Sequence, residues 1–321
     1  MTNNLAIVFP GQGSQSTGML AEFYDRFATF KHTLEESSDA LGYDLWDLIV
    51  NDEKKLNNTQ YTQPSLLAVS VALWKVWLEE GGIKPTFFAG HSLGEYSALV
   101  AANSISLTTA IKLVAERGCL MQLAVDQNKG AMAAIIGLEN NKVESICEEI
   151  SVAKTYVAPA NYNAPGQVVI AGVKEAVEKA SALAKENGAR MAVLLPVSVP
   201  SHCALMQTAA DELSNVLQDI EFKIPEIAII HNFDVAVRGG DRANGSQKDI
   251  QSAIRDVLVQ QLYNPVRWTE TVELLAKNGI TKIIECGPGK VLTGLNKRIA
   301  KNIVSTAMPS VENFETELTA L

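Results

Sequence analysis

Short apolar segments alternate with longer amphipathic segments along most of this chain. Leu5–Phe9 is apolar throughout and stops at a proline, which predicts a buried strand followed by a loop. Leu66–Glu80 has the length and composition of a buried helix and is followed by two glycines. Phe87–Ala89 predicts another strand, with a helix after it and a second helix over Leu107 to about Val125. This alternation favours an α/β fold with a mainly parallel sheet.

The middle of the chain has a different order of segments. The predicted strands and helices there are Ala131–Ile136, Asn141–Ile150, Tyr156–Ala160, Val168–Ala171, Lys174–Glu186 and Met191–Leu195. Their order is βαββαβ, which is that of a ferredoxin-like unit, and about 70 residues suffice for a small domain. We therefore predict a ferredoxin-like subdomain over residues 128–197, inserted in an α/β core formed by residues 1–127 and 198–321.

After the insertion, the α/β alternation resumes. The predicted elements are a helix over His202–Leu217, a strand over Ile227–Ile230, helices near Ile250–Leu262 and Thr269–Lys277, and a strand over Lys282–Ile284. They complete the predicted α/β core on the far side of the insertion.

Composition and charge narrow the possible partners. The chain has 321 residues with a formal net charge of −9, which argues against nucleic acid as its main partner. No apolar run is long enough to span a bilayer, and the first residues do not resemble a signal peptide. The four cysteines show no metal-ligand spacing and no disulfide framework. We therefore expect a cytoplasmic protein that contacts no membrane and holds no metal.

A serine between two glycines is the most informative motif. Gly90, Ser92 and Gly94 form the pattern G-x-S-x-G between a predicted strand and a predicted helix. A strand-to-helix turn this sharp crowds the backbone, and glycines remove the Cβ atoms that would clash. The hydroxyl of Ser92 would then stand exposed beside free backbone N–H groups at a helix N-terminus. The pattern predicts a nucleophile.

The nucleophile needs a base, and the chain has only four histidines. His32 lies on a polar helical stretch, and His91 is adjacent to Ser92, where side chains of a tight turn point apart. His231 follows an apolar strand and can be a hydrogen-bonded core residue. His202 lies in a loop between a strand and a helix, where catalytic residues gather, but there a polar helix-terminal residue is about as plausible as a catalytic one.

Two further features have a structural and a functional interpretation. The loop around Gln12 follows the first strand and carries glycines at 11 and 13. It resembles a dinucleotide-binding motif only weakly, since the third glycine is missing, and it can instead be an oxyanion loop. Arg117 lies on a mostly apolar helix, where an arginine either extends to solvent or clamps a substrate carboxylate. Met121, one turn on, would share its face.

Several segments together resemble one family over nearly the whole chain. They are Phe9–Gln15, Gly90–Glu95, Arg117–Gly118, Pro200–His202 and Gln261–Val266, in the expected order. On these residues, the chain resembles the malonyl-CoA:acyl carrier protein transacylases of bacterial type II fatty acid synthesis. The fold of that family, an α/β-hydrolase-like core with a ferredoxin-like insertion, agrees with the elements predicted above.

The resemblance implies a role for each matching position. Ser92 would accept the acyl group and His202 would be its base, oriented by the backbone carbonyl of Gln261. The backbone N–H groups of Gln12 and Leu93 would form the oxyanion hole. The remaining implied substrate-binding residues are Arg117, which would bind the malonyl carboxylate, Met121 on the same helix face, and Asn163 and Gln167 near the pantetheine arm.

The implied reaction is a two-step transfer of malonyl from malonyl-CoA to the phosphopantetheine thiol of acyl carrier protein. It requires no metal or redox cofactor, and we expect a monomer. The alternatives are a free-standing acyltransferase of a polyketide pathway and a serine thioesterase or esterase that uses the same turn. Four basic residues after Gly289 predict a docking face for an acidic carrier protein, although they can equally be a solvated helix face: Lys290, Lys297, Arg298 and Lys301.

Overall fold

The structure, a computed structural model, describes residues 4–124, 129–152, 155–197, 199–242 and 246–320. Within these ranges the strands are β1 (Leu5–Phe9), β2 (Phe87–Gly90), β3 (Gly130–Ile136), β4 (Val157–Ala164), β5 (Gln167–Val173), β6 (Met191–Leu194), β7 (Ala228–Ile230), β8 (Val237–Arg238), β9 (Lys282–Glu285) and β10 (Val304–Ala307). They form two sheets, one with six strands and one with four.

Helices pack against both sheets. Those in the described ranges are α1 (Ala21–Arg26), α2 (Ala28–Leu41), α3 (Leu45–Asn51), α4 (Glu53–Leu56), α5 (Thr59–Glu79), α6 (Gly94–Ala101), α7 (Leu107–Leu123), α8 (Asn140–Ile150), α9 (Lys174–Glu186), α10 (Gln207–Gln218), α11 (Gln247–Tyr263), α12 (Trp268–Lys277), α13 (Val291–Ile299) and α14 (Val311–Thr319). The α/β class predicted from the alternating pattern is confirmed.

The six-stranded sheet has the order β10-β9-β1-β2-β7-β8, and all its neighbours are parallel except β7 and β8. The chain passes from β1 to β2 on one side and later places β9 on the other side of β1. Loops that leave the carboxyl ends of strands at such a point diverge and open a crevice. Phe9 pairs with Gly90, so the loop after β1 and the serine turn after β2 begin side by side.

Successive residues of β1 point to opposite faces of this sheet. Ile7 and Phe9 belong to one buried apolar cluster, with helices α2, α5 and α7, whereas Ala6 and Val8 belong to a second cluster on the other face. Both faces of the sheet are therefore covered, as is usual for parallel sheets. The core fixes the two central strands, and with them the loops that carry the candidate chemistry.

The four-stranded sheet is antiparallel and has the order β4-β5-β3-β6. Together with α8 and α9 it has the predicted ferredoxin-like βαββαβ order. One of its faces packs on these two helices, and the other carries Met132 and Val169 toward the six-stranded core. Strand β4 is joined to the core by an isolated parallel bridge between Asn161 and Val266, which lies between α11 and α12. The proposed domain boundaries stay a prediction, because residues 127, 128 and 198 lie outside the described ranges.

The structure corrects several predicted element ends. Helix α5 begins at Thr59 rather than Leu66, because Asn58 caps it and the helix continues through Pro64. Strand β4 continues to Ala164, because it is an edge strand of its sheet and tolerates proline at 159. The helix expected from His202 begins only at Gln207, after a 3₁₀ turn. Val125, the expected end of α7, lies outside the described residues.

Candidate active site

The turn after β2 has the geometry that its glycines predict. Ser92 has a φ of 53°, a left-handed conformation that side chains other than glycine rarely adopt. A Cβ on Gly90 would lie 1.9 Å from the backbone of Gly94, and a Cβ on Gly94 would lie 2.1 Å from the carbonyl oxygen of Phe9. Neither position can hold a larger residue without moving the backbone, so the two glycines permit this turn at the N-terminus of α6.

His202 is the histidine that reaches the serine. Its Nε2 lies 2.7 Å from Ser92 Oγ, and its Nδ1 lies 2.7 Å from the backbone carbonyl oxygen of Gln261. A carbonyl can only accept a hydrogen bond, so we assign the proton to Nδ1 of the neutral ring, which leaves a lone pair on Nε2 facing the hydroxyl. Burial, with a further contribution from the charge of Arg117, lowers the pKa of His202 to about 3. The ring is therefore neutral, in the tautomer a general base requires.

The candidate oxyanion donors lie on the two neighbouring loops. The amide of Ser92 donates to Asn232 Oδ1 at 2.7 Å, whereas the amide of Leu93 at the start of α6 has no acceptor in the described chain. The amide of Gln12 is also without an acceptor there, and both residues line the cavity beside Ser92. A Cβ on Gly11 would lie 2.4 Å from the carbonyl oxygen of His91, so a glycine is needed where the loops touch. Two residues whose amides have no acceptor among the described groups therefore line one cavity.

Arg117 lies beside the nucleophile although it is only 1% exposed. Its guanidinium donates to Gln63 Oε1 at 2.8 Å and to Gln261 Oε1 at 2.9 Å, and Nη2 lies 3.4 Å from Ser92 Oγ. It also lies over the ring of Tyr96, 5.4 Å from the ring centroid. Burial lowers the pKa of Arg117 from its ordinary value. None of these acceptors is a carboxylate, so no direct ion pair occupies the donors of the guanidinium.

A cavity of about 190 Å³ connects these groups. The described lining is polar around Ser92. A second part of the lining is apolar and comes from the antiparallel sheet and the segment after β6: Met132, Val169, Leu195, Val197 and Val199. Helix α13 contributes Val291, Leu292 and Leu295 at a third side. Arg117 is the only described lining residue with a permanent charge, so the cavity favours a small anionic group.

The remaining predicted substrate residues divide into two groups. Met121 and Asn163 line the cavity, and Met121 Sδ lies 3.4 Å from Gln63 Nε2. Gln167 does not belong to the described lining; its Oε1 instead accepts a 2.6 Å hydrogen bond from Arg298 Nη1. The structure therefore brings Met121 and Asn163 to the site and places Gln167 beside α13, and the substrate role of Gln167 stays a prediction.

The three other histidines are placed as the sequence indicated. His32 is exposed on α2. His91 Nε2 lies 2.8 Å from Asn163 Oδ1, away from the serine hydroxyl, and burial lowers the pKa of His91. His231 is buried and its Nδ1 lies 2.7 Å from Glu95 Oε1. Of the four histidines, only His202 contacts Ser92 Oγ.

Sequence reasoning did not identify three side chains that hold this arrangement. Asn232 donates from Nδ2 to the carbonyl of Gly90 at 2.6 Å and accepts from the amide of Ser92, so it fixes the serine turn on both sides. Gln63 holds Arg117, and the side chain of Gln261 links Arg117 to Glu95. A polar residue inside an apolar segment, as at Gln63 and Glu95, indicates that its side chain has a buried hydrogen-bond partner. The sequence pattern does not show which residue that partner is.

No helix among the described residues is long and apolar enough to cross a membrane. The same residues contain no group of three or more His, Cys, Asp or Glu side chains that could hold a metal ion. All four cysteines are free thiols.

Comparison with known proteins agrees over nearly the full chain. Residues 6–314 match the family described as acyl transferase domain. The malonyl CoA-acyl carrier protein transacylase of Salmonella typhimurium is 51% identical over 304 residues, which cover 94% of this chain and 95% of that protein. The crystal structure of an acyl carrier protein S-malonyltransferase from Vibrio cholerae has a TM-score of 0.91 at 51% identity and covers 98% of this chain and 99% of its own.

A further solved structure is a malonyl-transacylase in complex with a type II PKS acyl-carrier protein. It has a TM-score of 0.94 at 51% identity and covers 99% of each chain. The serine turn and the matched domain define the class of this protein as an acyltransferase. The chain belongs to the family of malonyl CoA-acyl carrier protein transacylases. The resemblance stated from the sequence is thereby confirmed.

Proposed function

We propose that this protein transfers a malonyl group from malonyl-CoA to the phosphopantetheine thiol of acyl carrier protein through a malonyl-serine intermediate. The observation that carries the proposal is the meeting of three groups in one cavity. Ser92 Oγ lies 2.7 Å from His202 Nε2 and 3.4 Å from Arg117 Nη2. A nucleophile with a base alone suits many acyl groups, whereas a buried cation beside it selects an acyl group that carries a carboxylate.

The first half of the reaction forms the acyl-enzyme. His202 Nε2 takes the proton of Ser92 as Oγ attacks the thioester carbonyl carbon. The carbonyl oxygen becomes an oxyanion, which the amides of Gln12 and Leu93 bind, and preorganised N–H donors of this kind supply a large part of such catalysis. The C–S bond then breaks, and the imidazolium gives its proton to the leaving CoA sulfur. The product is malonyl-Ser92 with a neutral His202.

The second half repeats these steps with a different thiol. His202 takes the proton of the phosphopantetheine thiol, and the thiolate attacks the ester carbonyl of malonyl-Ser92. The same two amides bind the oxyanion. When the C–O bond breaks, the imidazolium returns its proton to Ser92 Oγ. One thioester is consumed and one is formed, so the reaction needs no metal or redox cofactor and its equilibrium lies near unity.

The malonyl carboxylate also assists the base. Burial is the main cause of the low pKa of His202, and the positive charge of Arg117 is the second. A carboxylate bound to Arg117 would offset the second cause, because opposite charges close together favour the charged forms of both. His202 would therefore accept the serine proton more readily when the acyl group is malonyl than when it is acetyl.

The proposed acceptor is supported by the exposed face beside the cavity. Helix α13 lines the cavity with Leu292 and Leu295, and its exposed basic neighbours are Lys290, Lys297, Arg298 and Lys301. This face suits an acidic carrier protein, while a solvated helix face stays the alternative interpretation. The four free thiols suit a reducing compartment, and we place the enzyme in the cytoplasm, as a monomer without nucleic acid or membrane partners.

The test of the proposed function is the mass of the intact protein after brief exposure to malonyl-CoA alone. We expect one malonyl group per chain, located on the peptide that contains Ser92, and no label on Ser92→Ala. Addition of holo acyl carrier protein should remove the label and load the carrier. Label on one of the cysteines would refute the assigned nucleophile. Release of free malonate instead of loaded carrier would indicate a thioesterase.

A further inference from the structure

Glu95 is a second charged group near the nucleophile, and no step of the proposed mechanism uses it. Its side chain is fully buried on α6, three residues after Ser92. Its Oε1 contacts His231 Nδ1 at 2.7 Å, while its Oε2 accepts from the Asn232 amide at 3.0 Å and from Gln261 Nε2 at 2.9 Å. A buried carboxylate is costly unless its charge is compensated, so the source of the compensation matters.

His231 is the nearest candidate, but its other nitrogen argues against a charged ring. Nε2 of His231 is buried and has no hydrogen-bond partner among the described groups. A protonated ring would leave an N–H there without an acceptor, whereas a neutral ring with its proton on Nδ1 leaves only an unused lone pair. We therefore assign His231 as a neutral donor to Glu95. The compensating positive charge has to come from elsewhere.

The Gln261 side chain connects Glu95 to that charge. Its Nε2 donates to Glu95 Oε2 at 2.9 Å and to the carbonyl oxygen of Ser92 at 3.0 Å. Its Oε1 accepts from Arg117 Nη2 at 2.9 Å. The two donor contacts fix which end of the amide faces the guanidinium. Glu95 and Arg117 are thus coupled through one amide without the direct ion pair that would occupy the arginine donors.

We propose that Glu95 is the buried counter-charge of Arg117, coupled to it through the Gln261 amide, and that it limits how strongly the site favours a malonyl group. This role rests on the proposed malonyl transfer. A negative charge close to a cation reduces the attraction of that cation for a second anion. Glu95 therefore acts as a positioning and specificity-determining residue, and it keeps the malonyl carboxylate from being held too tightly for onward transfer.

The first test compares malonyl-CoA with acetyl-CoA as acyl donors. Glu95→Gln keeps the size of the side chain and an oxygen that can accept from Gln261, but it removes the charge. The ratio of the second-order acylation constants, malonyl over acetyl, should rise by about threefold or more, the low end of couplings within one hydrogen-bond network. A ratio that stays unchanged or falls would overturn the proposal, since a purely structural role would lower both constants equally.

The matched control is Glu116→Gln, which removes the same charge from the residue next to Arg117 in the chain. Glu116 is exposed, so solvent and salt screen its charge, and the ratio should stay within about twofold of wild type. A rise as large as that of Glu95→Gln would show that the effect is not specific to the buried network.

The second test needs no substrate. Arg117→Met leaves a buried carboxylate uncompensated, and adding Glu95→Gln to it removes that charge. We expect the double variant to have a higher Tm than Arg117→Met alone, because the cost of the unpaired charge is gone. A double variant that is less stable than Arg117→Met, or one that does not fold, would overturn the counter-charge assignment. This outcome is independent of whether malonyl is the substrate.

Discussion

The two sides of the cavity are built by different physical means. On the side of the six-stranded sheet, Ser92, His202 and Arg117 are held by a continuous network of hydrogen bonds through Gln261 and Asn232. On the side of the antiparallel sheet, the lining consists mainly of apolar side chains, and strand β6 at its edge is exposed to solvent on Met191, Val193 and Leu194.

The comparison separates two tasks. Acyl transfer requires a hydroxyl, a base and oxyanion donors within a few tenths of an ångström of their working positions, and buried hydrogen bonds to neighbouring groups provide that precision. Holding the rest of a thioester substrate requires a shaped apolar surface that excludes water, which side chains such as Met132 and Leu195 offer. We therefore expect substitutions on the first side to affect the chemical step and those on the second side to affect binding.

The largest expected effect is on the chemical step. His202→Ala removes the proposed general base, and acylation by malonyl-CoA should slow by about 10²–10⁴-fold, the usual contribution of such a base. The measurement is a single-turnover quench with mass detection of malonyl-Ser92. His91→Ala is the matched control, because His91 is the neighbouring histidine whose Nε2 faces Asn163 rather than Ser92. If the His91 variant loses more activity than the His202 variant, the assigned roles are reversed.

A smaller effect is expected on the apolar side. Leu195→Ala removes part of the cavity lining without touching a group that carries charge or a proton. We expect the KM for malonyl-CoA to rise roughly fivefold with kcat nearly unchanged, consistent with about 1 kcal/mol of lost apolar contact. Val193→Ala is the control, because Val193 lies in β6, is exposed and does not belong to the described cavity lining, so both constants should stay unchanged. A large fall in kcat for Leu195→Ala would contradict the division between the two sides.

A third effect concerns the stability of the folded chain toward acid rather than its activity. Because burial lowers the pKa of His202 from 6.5 to about 3, the unfolded chain binds a proton that the folded chain does not bind between these values. The free energy of unfolding should therefore fall as the pH drops from about 6 to about 4. In wild type this fall should be steeper than in His202→Asn by about 1.4 kcal/mol per pH unit. His91 is present in both proteins and cancels.

Denaturant unfolding at several pH values measures this difference. Parallel curves for the two proteins would mean that His202 titrates normally in the folded state. In that case its neutral form would not be a consequence of burial on the hydrogen-bonded side of the cavity.

Local motifs predicted the serine turn well, because its requirements are local. The tight turn brings backbone atoms so close to Gly90 and Gly94 that neither position has room for a Cβ atom. Because this requirement lies within five consecutive residues, the sequence motif alone predicts it. The order of strands and helices also predicted the α/β class and the antiparallel insertion. The role of each residue at the site stays a prediction, since distances bring groups together without showing the reaction.

The supporting network could not be predicted for a different reason. Glu95, Asn232 and Gln261 are far apart in the chain, and their contacts exist only because α6, the segment after β7 and α11 meet in space. A polar residue in an apolar segment signals that a partner exists, but not which one. The pattern does not reveal the start of α5 at Thr59, because the apolar run begins only at Leu66, whereas the helix starts about two turns earlier and continues through Pro64.

The most direct test of the account compares malonyl-CoA and acetyl-CoA as donors for wild type and Arg117→Ala, with kcat/KM as the readout. A hydrogen bond to a charged group is worth roughly 1.5–3 kcal/mol, which corresponds to a fall of about 10–150-fold for malonyl transfer. Acetyl transfer should stay unchanged or improve, because no cation is then left unpaired in the cavity. Arg117→Lys should recover only part of the loss, since a point charge lacks the planar fork. An equal fall for both donors would contradict the account and show that Arg117 only supports the fold.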